Sequence, residues 1–234
     1  MKRFNRCPKV PALWLKKSDA LHTPMLKLIS ATPSPYARKV RIALAEKGLP
    51  FELLTEVPWD NNTSTPQYNP LEKLPVLILE DGSSVYESSY ILQYLELKYP
   101  ETPLLPPGVD GILAARKLEV LCDGVCDAMV LTFFERARKD SASAEWIARQ
   151  ARKIDSGLRE IARLTGEGPW TVGARFSLGD IAAGTVVGYM SLRFPEIPWR
   201  TLYPNLAAHS DRLEQRPSFR DSVPRAQTIS DKIV

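Results

Sequence analysis

The spacing of apolar and polar positions changes character about half-way along the chain. Early on, short apolar runs alternate with one helical pattern at a time. Leu26, Leu28 and Ile29 mark a strand over Leu26–Ser30. Val40, Ile42, Ala43 and Leu44, opened by Pro35 and closed by Gly48, predict a helix over Pro35–Lys47. Phe51–Thr55 reads as a second strand, and the polar stretch Trp59–Asn69 as a loop with at most one helical turn. Val76–Glu80 and Ser83–Tyr86 flank Asp81-Gly82, a pair that supplies the positive φ angles of a tight hairpin. Ser88–Tyr99 is a helix with Ile91, Leu92 and Leu95 inward, stopped by Pro100.

After the Pro-rich stretch 103–108 the periodicity is helical throughout. Leu118, Leu121, Val125, Met129 and Phe133 line one face of a long helix, and Ile147, Ile154, Leu158 and Ile161 line a second. Ile181 to Met190 is apolar nearly all round, as expected of a helix at the centre of a bundle. Its start is well specified: Ser177 is placed as cap, Asp180 can return a bond to the cap backbone, and Phe176 with Ile181 forms a staple. The order βαβ then ββα predicts an α/β thioredoxin-like N-terminal domain over 25–101. A linker over 102–108 and an all-α helical-bundle C-terminal domain over 109–234 follow. The pattern assigns no element beyond Met190.

Charge changes the picture at one end. Residues 1–24 carry a net +5, whereas the remainder carries −1, so the overall +4 does not describe the body of the chain. A near-neutral body argues against a nucleic-acid surface. The basic extension reads as a disordered tail, a short targeting segment, or sequence ahead of a start at Met25. No apolar stretch approaches the roughly 18 residues of a membrane span. Cys7, Cys122 and Cys126 give no disulfide framework, which points to a reducing, cytoplasmic setting. Cys122 and Cys126 share a helix face and read as small buried side chains, since His22 and His209 offer no nearby metal-ligand set.

The candidate chemistry centres on Ser34-Pro35-Tyr36-Ala37, which joins the first strand to the first helix. In glutaredoxins a strand, a tight turn and a helix N-terminus carry Cys-Pro-Tyr-Cys. Here both cysteines are gone and serine stands first. Helix N-termini stabilise thiolates through unpaired N–H groups and the dipole. With no protein thiol in the turn, the thiolate would come from a ligand, which points to glutathione.

Three further segments complete a pattern: Asn69-Pro70-Leu71-Glu72-Lys73-Leu74-Pro75-Val76-Leu77, Glu87-Ser88-Ser89, and the Ser177–Asp180 cap. Together, over about residues 25–215, the chain resembles the cytosolic glutathione S-transferases, and most resembles bacterial members with a serine-type site. The resemblance implies conjugation of a glutathione thiolate to a small hydrophobic electrophile, a role in detoxification, and a homodimer. No metal, nucleic acid or membrane is implied. By the same resemblance Ser34 activates the thiol, with Thr32 as the rival hydroxyl. Leu74, ahead of a cis Pro75, pairs with the cysteinyl unit. Ser88 takes the γ-glutamyl carboxylate, Glu87 the ammonium and Lys73 the glycyl carboxylate. Glu72 departs from the glycine of many relatives. Phe133, Met129 and Tyr36 are candidate walls for the electrophile, while Arg38 and Lys39 are assigned no chemistry. A non-catalytic binding protein of the same fold, or a glutathione-dependent peroxidase or dehalogenase, would retain the same binding residues.

Overall fold

The computed structural model describes residues 25–230. The basic segment 1–24, with Cys7 and His22, lies outside the described residues. Four strands, β1 (Leu26–Ser30), β2 (Phe51–Thr55), β3 (Val76–Ile78) and β4 (Ser84–Tyr86), form one sheet in the order β2-β1-β3-β4. β1 runs parallel to β2 and antiparallel to β3, and β3 antiparallel to β4, with Leu28 facing Leu53 on one side and Leu77 on the other. Helices α1 (Pro35–Glu46), α2 (Thr65–Tyr68) and α3 (Ser88–Lys98) complete this mixed α/β layer. Leu28, Val40, Leu44, Leu77, Ile91 and Leu95 fill the core between the sheet and α1 and α3.

The connection between the hairpin strands is longer than a two-residue Asp81-Gly82 turn implies. β3 ends at Ile78 and β4 begins at Ser84. Leu79 N–H donates to Ser83 O at 2.8 Å, and Gly82 N–H to Leu79 O at 3.0 Å. Only Gly82 of the pair has a positive φ, 83°. Asp81 instead accepts from Ser83 N–H and hydroxyl, so its side chain, not its backbone, shapes the turn.

The helical part begins with α4 (Val109–Ala137) and continues with α5 (Ala144–Thr165) and α6 (Leu178–Arg193). α4 packs along both α5 and α6. Gly157 permits the α4–α5 approach, because a Cβ there would lie 2.2 Å from Val125 Cγ2. Three elements absent from the sequence pattern follow: α7 (Trp199–Leu202), α8 (Pro204–Leu213) and α9 (Pro217–Arg220). α7 and α9 are single turns, too short for a 3.6-residue period to stand out, and α8 buries His209 and Ser210 beside Leu206 and Leu213, so its inward face carries a weak apolar pattern.

α6 ties the two parts together. Leu178 and Ile181, at its start, belong to the core of the sheet layer, while Ala182, Val186 and Met190 belong to the bundle core. Leu178 N–H donates to Leu104 O at 2.7 Å. The expected cap is present: Asp180, fully buried, accepts from Ser177 N–H at 2.7 Å and its hydroxyl at 3.1 Å. Its other oxygen accepts from Thr171 N–H at 2.8 Å and lies 3.3 Å from His209 Nε2. Burial, ahead of the attraction of Asp180, lowers the His209 pKa below its ordinary value.

Candidate functional site

β1 delivers the chain to a turn over Ala31–Ser34, closed by Ser34 N–H donating to Ala31 O at 3.2 Å. Ser34 caps α1, with φ −65° and ψ 120°. Its hydroxyl oxygen accepts from Ala37 N–H at 3.2 Å. Pro35 follows at the first helical position, where a missing N–H costs nothing. Oγ serves as the cap acceptor, and among the described residues its own proton has no acceptor. Thr32 is placed differently. Its hydroxyl donates to Arg225 O at 2.9 Å, so its proton is already spent. Tyr36 is also engaged, through a short hydrogen bond from its hydroxyl to Asp127 on α4. Burial first, then the negative charge of its α4 neighbours, raises the Tyr36 phenol well above its ordinary pKa.

The peptide between Leu74 and Pro75 is cis, as the resemblance implies. The loop ahead of it is organised by buried Asn69, which donates to Lys73 O at 2.6 Å and accepts from Leu71 N–H at 3.0 Å. Glu72 adopts φ 54°, a left-handed conformation that favours glycine. This chain meets that backbone requirement with a glutamate. Lys73 is exposed at the mouth of the loop.

Ser88 is the first residue of α3, and Glu87 caps the helix in the unusual conformation φ 73°, ψ 125°. Its carboxylate accepts from Ser89 N–H at 3.1 Å and Tyr90 N–H at 3.2 Å, with a short bond from the Ser89 hydroxyl. Ser88 is 1% exposed, and its hydroxyl lies 3.4 Å from Glu87 Oε1. Partial burial raises the Glu87 pKa, but these hydrogen bonds and the nearby Lys39 outweigh it and hold the carboxyl below its ordinary range. The helix start is therefore anion-binding in fact: it already holds one carboxylate.

Beneath the turn lies a cluster that the sequence did not disclose. Lys39, 1% exposed, reaches Asp123 at 2.7 Å and Glu119 at 3.2 Å on α4. Arg116 also pairs with Glu119, at 2.8 Å. Burial, opposed by Lys39 and assisted by Glu119 and Glu87, pushes Asp123 up to about 6. Lys39 and Arg38 thus receive structural roles. Arg38, buried beside Gly188, donates to Glu214 at 3.0 Å and Phe219 O at 3.1 Å. Of the candidate walls, Met129 is wholly in the bundle core and leaves the site. Tyr36 and Phe133 are half-buried, and Phe133 lies under the Arg193 guanidinium, edge-on to Phe134. Phe134 also meets Trp59 from the loop after β2, with ring centroids 4.1 Å apart. Cys122 and Cys126 are free and buried, and burial pushes both thiols up. Among the described residues no cluster of His, Cys, Asp and Glu could hold a metal, and no helix is long and apolar enough to cross a membrane.

Comparison with known proteins agrees with this architecture. The family model for the glutathione S-transferase N-terminal domain matches residues 28–103, and that for the C-terminal domain matches 144–212. A glutathione S-transferase of Methylobacterium radiotolerans, solved in complex with glutathione sulfonate, is 72% identical. It covers 90% of this chain and 100% of that one, with a TM-score of 0.89. A glutathione S-transferase of Methylobacillus flagellatus with glutathione bound is 39% identical, covering 86% and 100%, with a TM-score of 0.82. The GST-like protein YibF of Escherichia coli is 33% identical over 200 residues, 85% of this chain and 98% of that protein. With a serine-capped first helix, a cis proline ahead of β3 and a capped central helix in one frame, the chain belongs to the glutathione S-transferase family.

Proposed function

We propose that this protein is a glutathione transferase that conjugates glutathione to a small hydrophobic electrophile, with Ser34 stabilising the thiolate. The observation that carries this reading is the state of the two hydroxyls at the turn. Ser34 Oγ accepts from Ala37 N–H and keeps its proton for a ligand, whereas Thr32 has given its proton to a backbone carbonyl. A thiol titrates near ~8.5, and a hydrogen bond plus a helix N-terminus lowers this by about one unit or more. At neutral pH the nucleophilic fraction rises accordingly. The thiolate sulfur forms a bond to the electrophilic carbon, and the leaving group departs with its electron pair.

The rest of glutathione fits the described surfaces. The backbone of Leu74, ahead of cis Pro75, offers an edge for the cysteinyl unit. At the α3 start Glu87 already takes the Ser89 and Tyr90 N–H groups, which leaves Ser88 to meet the γ-glutamyl carboxylate and the Glu87 carboxylate to meet its ammonium. Lys73 faces solvent where a glycyl carboxylate would extend. Two relatives solved with glutathione or its sulfonate support the ligand. Exposed apolar residues recur on α3 (Tyr90, Leu97) and α4 (Val109, Leu113, Val120), which supports a homodimer. Sedimentation equilibrium at a single protomer mass would overturn that part.

The test is a calorimetric titration of glutathione into wild type, Ser34→Ala and Ser88→Ala, paired with conjugation assays on an aryl halide. Ser88→Ala is expected to weaken binding at least about tenfold, or 1.4 kcal/mol. Ser34→Ala keeps glutathione affinity within a few-fold but lowers kcat/KM about tenfold, as one unit of thiol pKa implies. Absence of wild-type binding at millimolar glutathione refutes the reading. Formation of glutathione disulfide in place of a thioether redirects it to peroxidase chemistry.

A further inference from the structure

Beyond α9 the described chain has no helix or strand, yet it is fastened along its length. At its start Arg38 donates to Phe219 O at 3.1 Å and Ser222 Oγ at 3.3 Å, and Arg41 donates to Ser222 O at 3.2 Å. Both arginines belong to α1, the helix that Ser34 caps. The segment then crosses to the β1–α1 turn. Thr32 Oγ1 donates to Arg225 O at 2.9 Å, Arg225 N–H to Thr32 O at 3.4 Å, and Thr32 N–H to Gln227 Oε1 at 3.2 Å. Every polar group of Thr32, backbone and side chain, is therefore taken up by residues 225–227. The other end of the Gln227 amide donates to Glu56 O at 3.3 Å, and Ser230 N–H donates to Asp60 at 2.9 Å. Glu56 is itself fixed, since its carboxylate caps α2 through Ser64 and Thr65.

Three bonds from outside thus hold the residue two before Ser34, against the Ala31–Ser34 bond within the turn. We infer that residues 222–230 are a strap that positions the Ser34 hydroxyl for the thiolate, with Gln227 as the positioning residue. The inference rests on the transferase reading above. A hydrogen bond weakens steeply as its angle opens, so the turn must be held in register for the Ser34 proton to reach the sulfur. The strap does so from the far side of the turn, by occupying the groups through which Thr32 could otherwise relax. The contacts proposed for the rest of glutathione lie on Lys73, Leu74, Glu87 and Ser88, and among the described residues the strap's hydrogen bonds go to Thr32, Arg38, Arg41, Glu56 and Asp60 instead. Loosening it therefore separates thiol activation from binding.

The experiment uses Gln227→Ala and Thr32→Val in the full chain, with Thr32→Ser as the variant that keeps the hydroxyl. Three quantities are read: glutathione Kd by calorimetry, the pKa of the bound thiol from thiolate ultraviolet absorbance, and Tm. Gln227→Ala and Thr32→Val are expected to leave Kd within about threefold and to raise the bound-thiol pKa by about half a unit or more. Conjugation below that pKa then falls by about threefold and recovers at high pH, where the thiol ionises unaided. Thr32→Ser behaves as wild type. An unchanged thiol pKa in both loosened variants overturns the strap, as does a loss of Kd that simply tracks Tm. A wild-type protein that binds glutathione without lowering its thiol pKa overturns the transferase reading instead, and the strap's role with it.

Discussion

Replacing Lys39 with methionine removes one ammonium and little else, because methionine keeps most of the apolar stem. The group sits between α1 and α4, 1% exposed, 2.7 Å from Asp123 and 3.2 Å from Glu119. Removing one member of a buried ion pair costs about 3–5 kcal/mol, since the charge left behind has neither water nor partner. Two features place this site at the low end. Arg116 stays 2.8 Å from Glu119, and the Asp123 side chain is 24% exposed and can take up water. The expected loss is therefore about 3 kcal/mol near pH 7.5. The pH dependence follows from Asp123. Burial raises its folded pKa to about 6, above the ~3.9 of an unfolded chain. Within that window the folded state binds the proton that the unfolded state has released. Stability contributed by this group thus falls as pH rises from about 4 to about 6, and is level above that. Without Lys39 the folded value climbs further, so the fall extends into the neutral range. The gap between variant and wild type should accordingly widen from about pH 5 to about pH 7.5. Urea unfolding at both pH values, followed by tryptophan fluorescence and far-ultraviolet dichroism, measures it. A gap below about 1 kcal/mol at the higher pH, or an equal gap at both, would refute the reasoning.

Other outcomes follow from the same kind of argument. Asp180→Ala should destabilise by about 3 kcal/mol or more, because it leaves the buried N–H of Ser177 and the half-buried N–H of Thr171 unpaired. Ser177→Ala should cost only about 1 kcal/mol; the order of the two in a urea titration is the check, and a reversal means the Asp180 bonds do not hold the helix start. Glu72→Gly should raise stability by about 0.5 kcal/mol, the relief of a left-handed side chain less the extra freedom of glycine when unfolded. A lower Tm in calorimetry would show that Glu72 makes a compensating contact.

Most of the architecture is legible in the amino-acid sequence. Periodic burial is a local property, so β1, α1, β2, α3 and the long helices could be placed from their apolar spacing alone. The cap at Ser177–Asp180 and the serine at the start of α1 were legible for a similar reason, since a helix end is satisfied by residues three positions away. The hairpin was less so, because Asp81 could shape it through its backbone or its side chain, and only the packed turn selects the side chain. Glu87 shows the same limit. Sequence places an acid and a serine at the α3 start, but which of them caps depends on a positive φ at Glu87 that local propensity disfavours.

What the sequence determined by itself was the order of elements, the identity of the buried faces, and a hydroxyl at a helix N-terminus where a thiolate could rest. Only the tertiary structure shows that the Thr32 side chain is claimed by a carbonyl 193 residues away, while Ser34 Oγ caps its own helix. It also made Lys39 and Arg38 buried anchors, through partners 80 and 176 residues distant. Such pairings leave no periodic trace along the chain. They arise when packing removes water from a polar group, which must then find its hydrogen-bond partner wherever the fold has brought one.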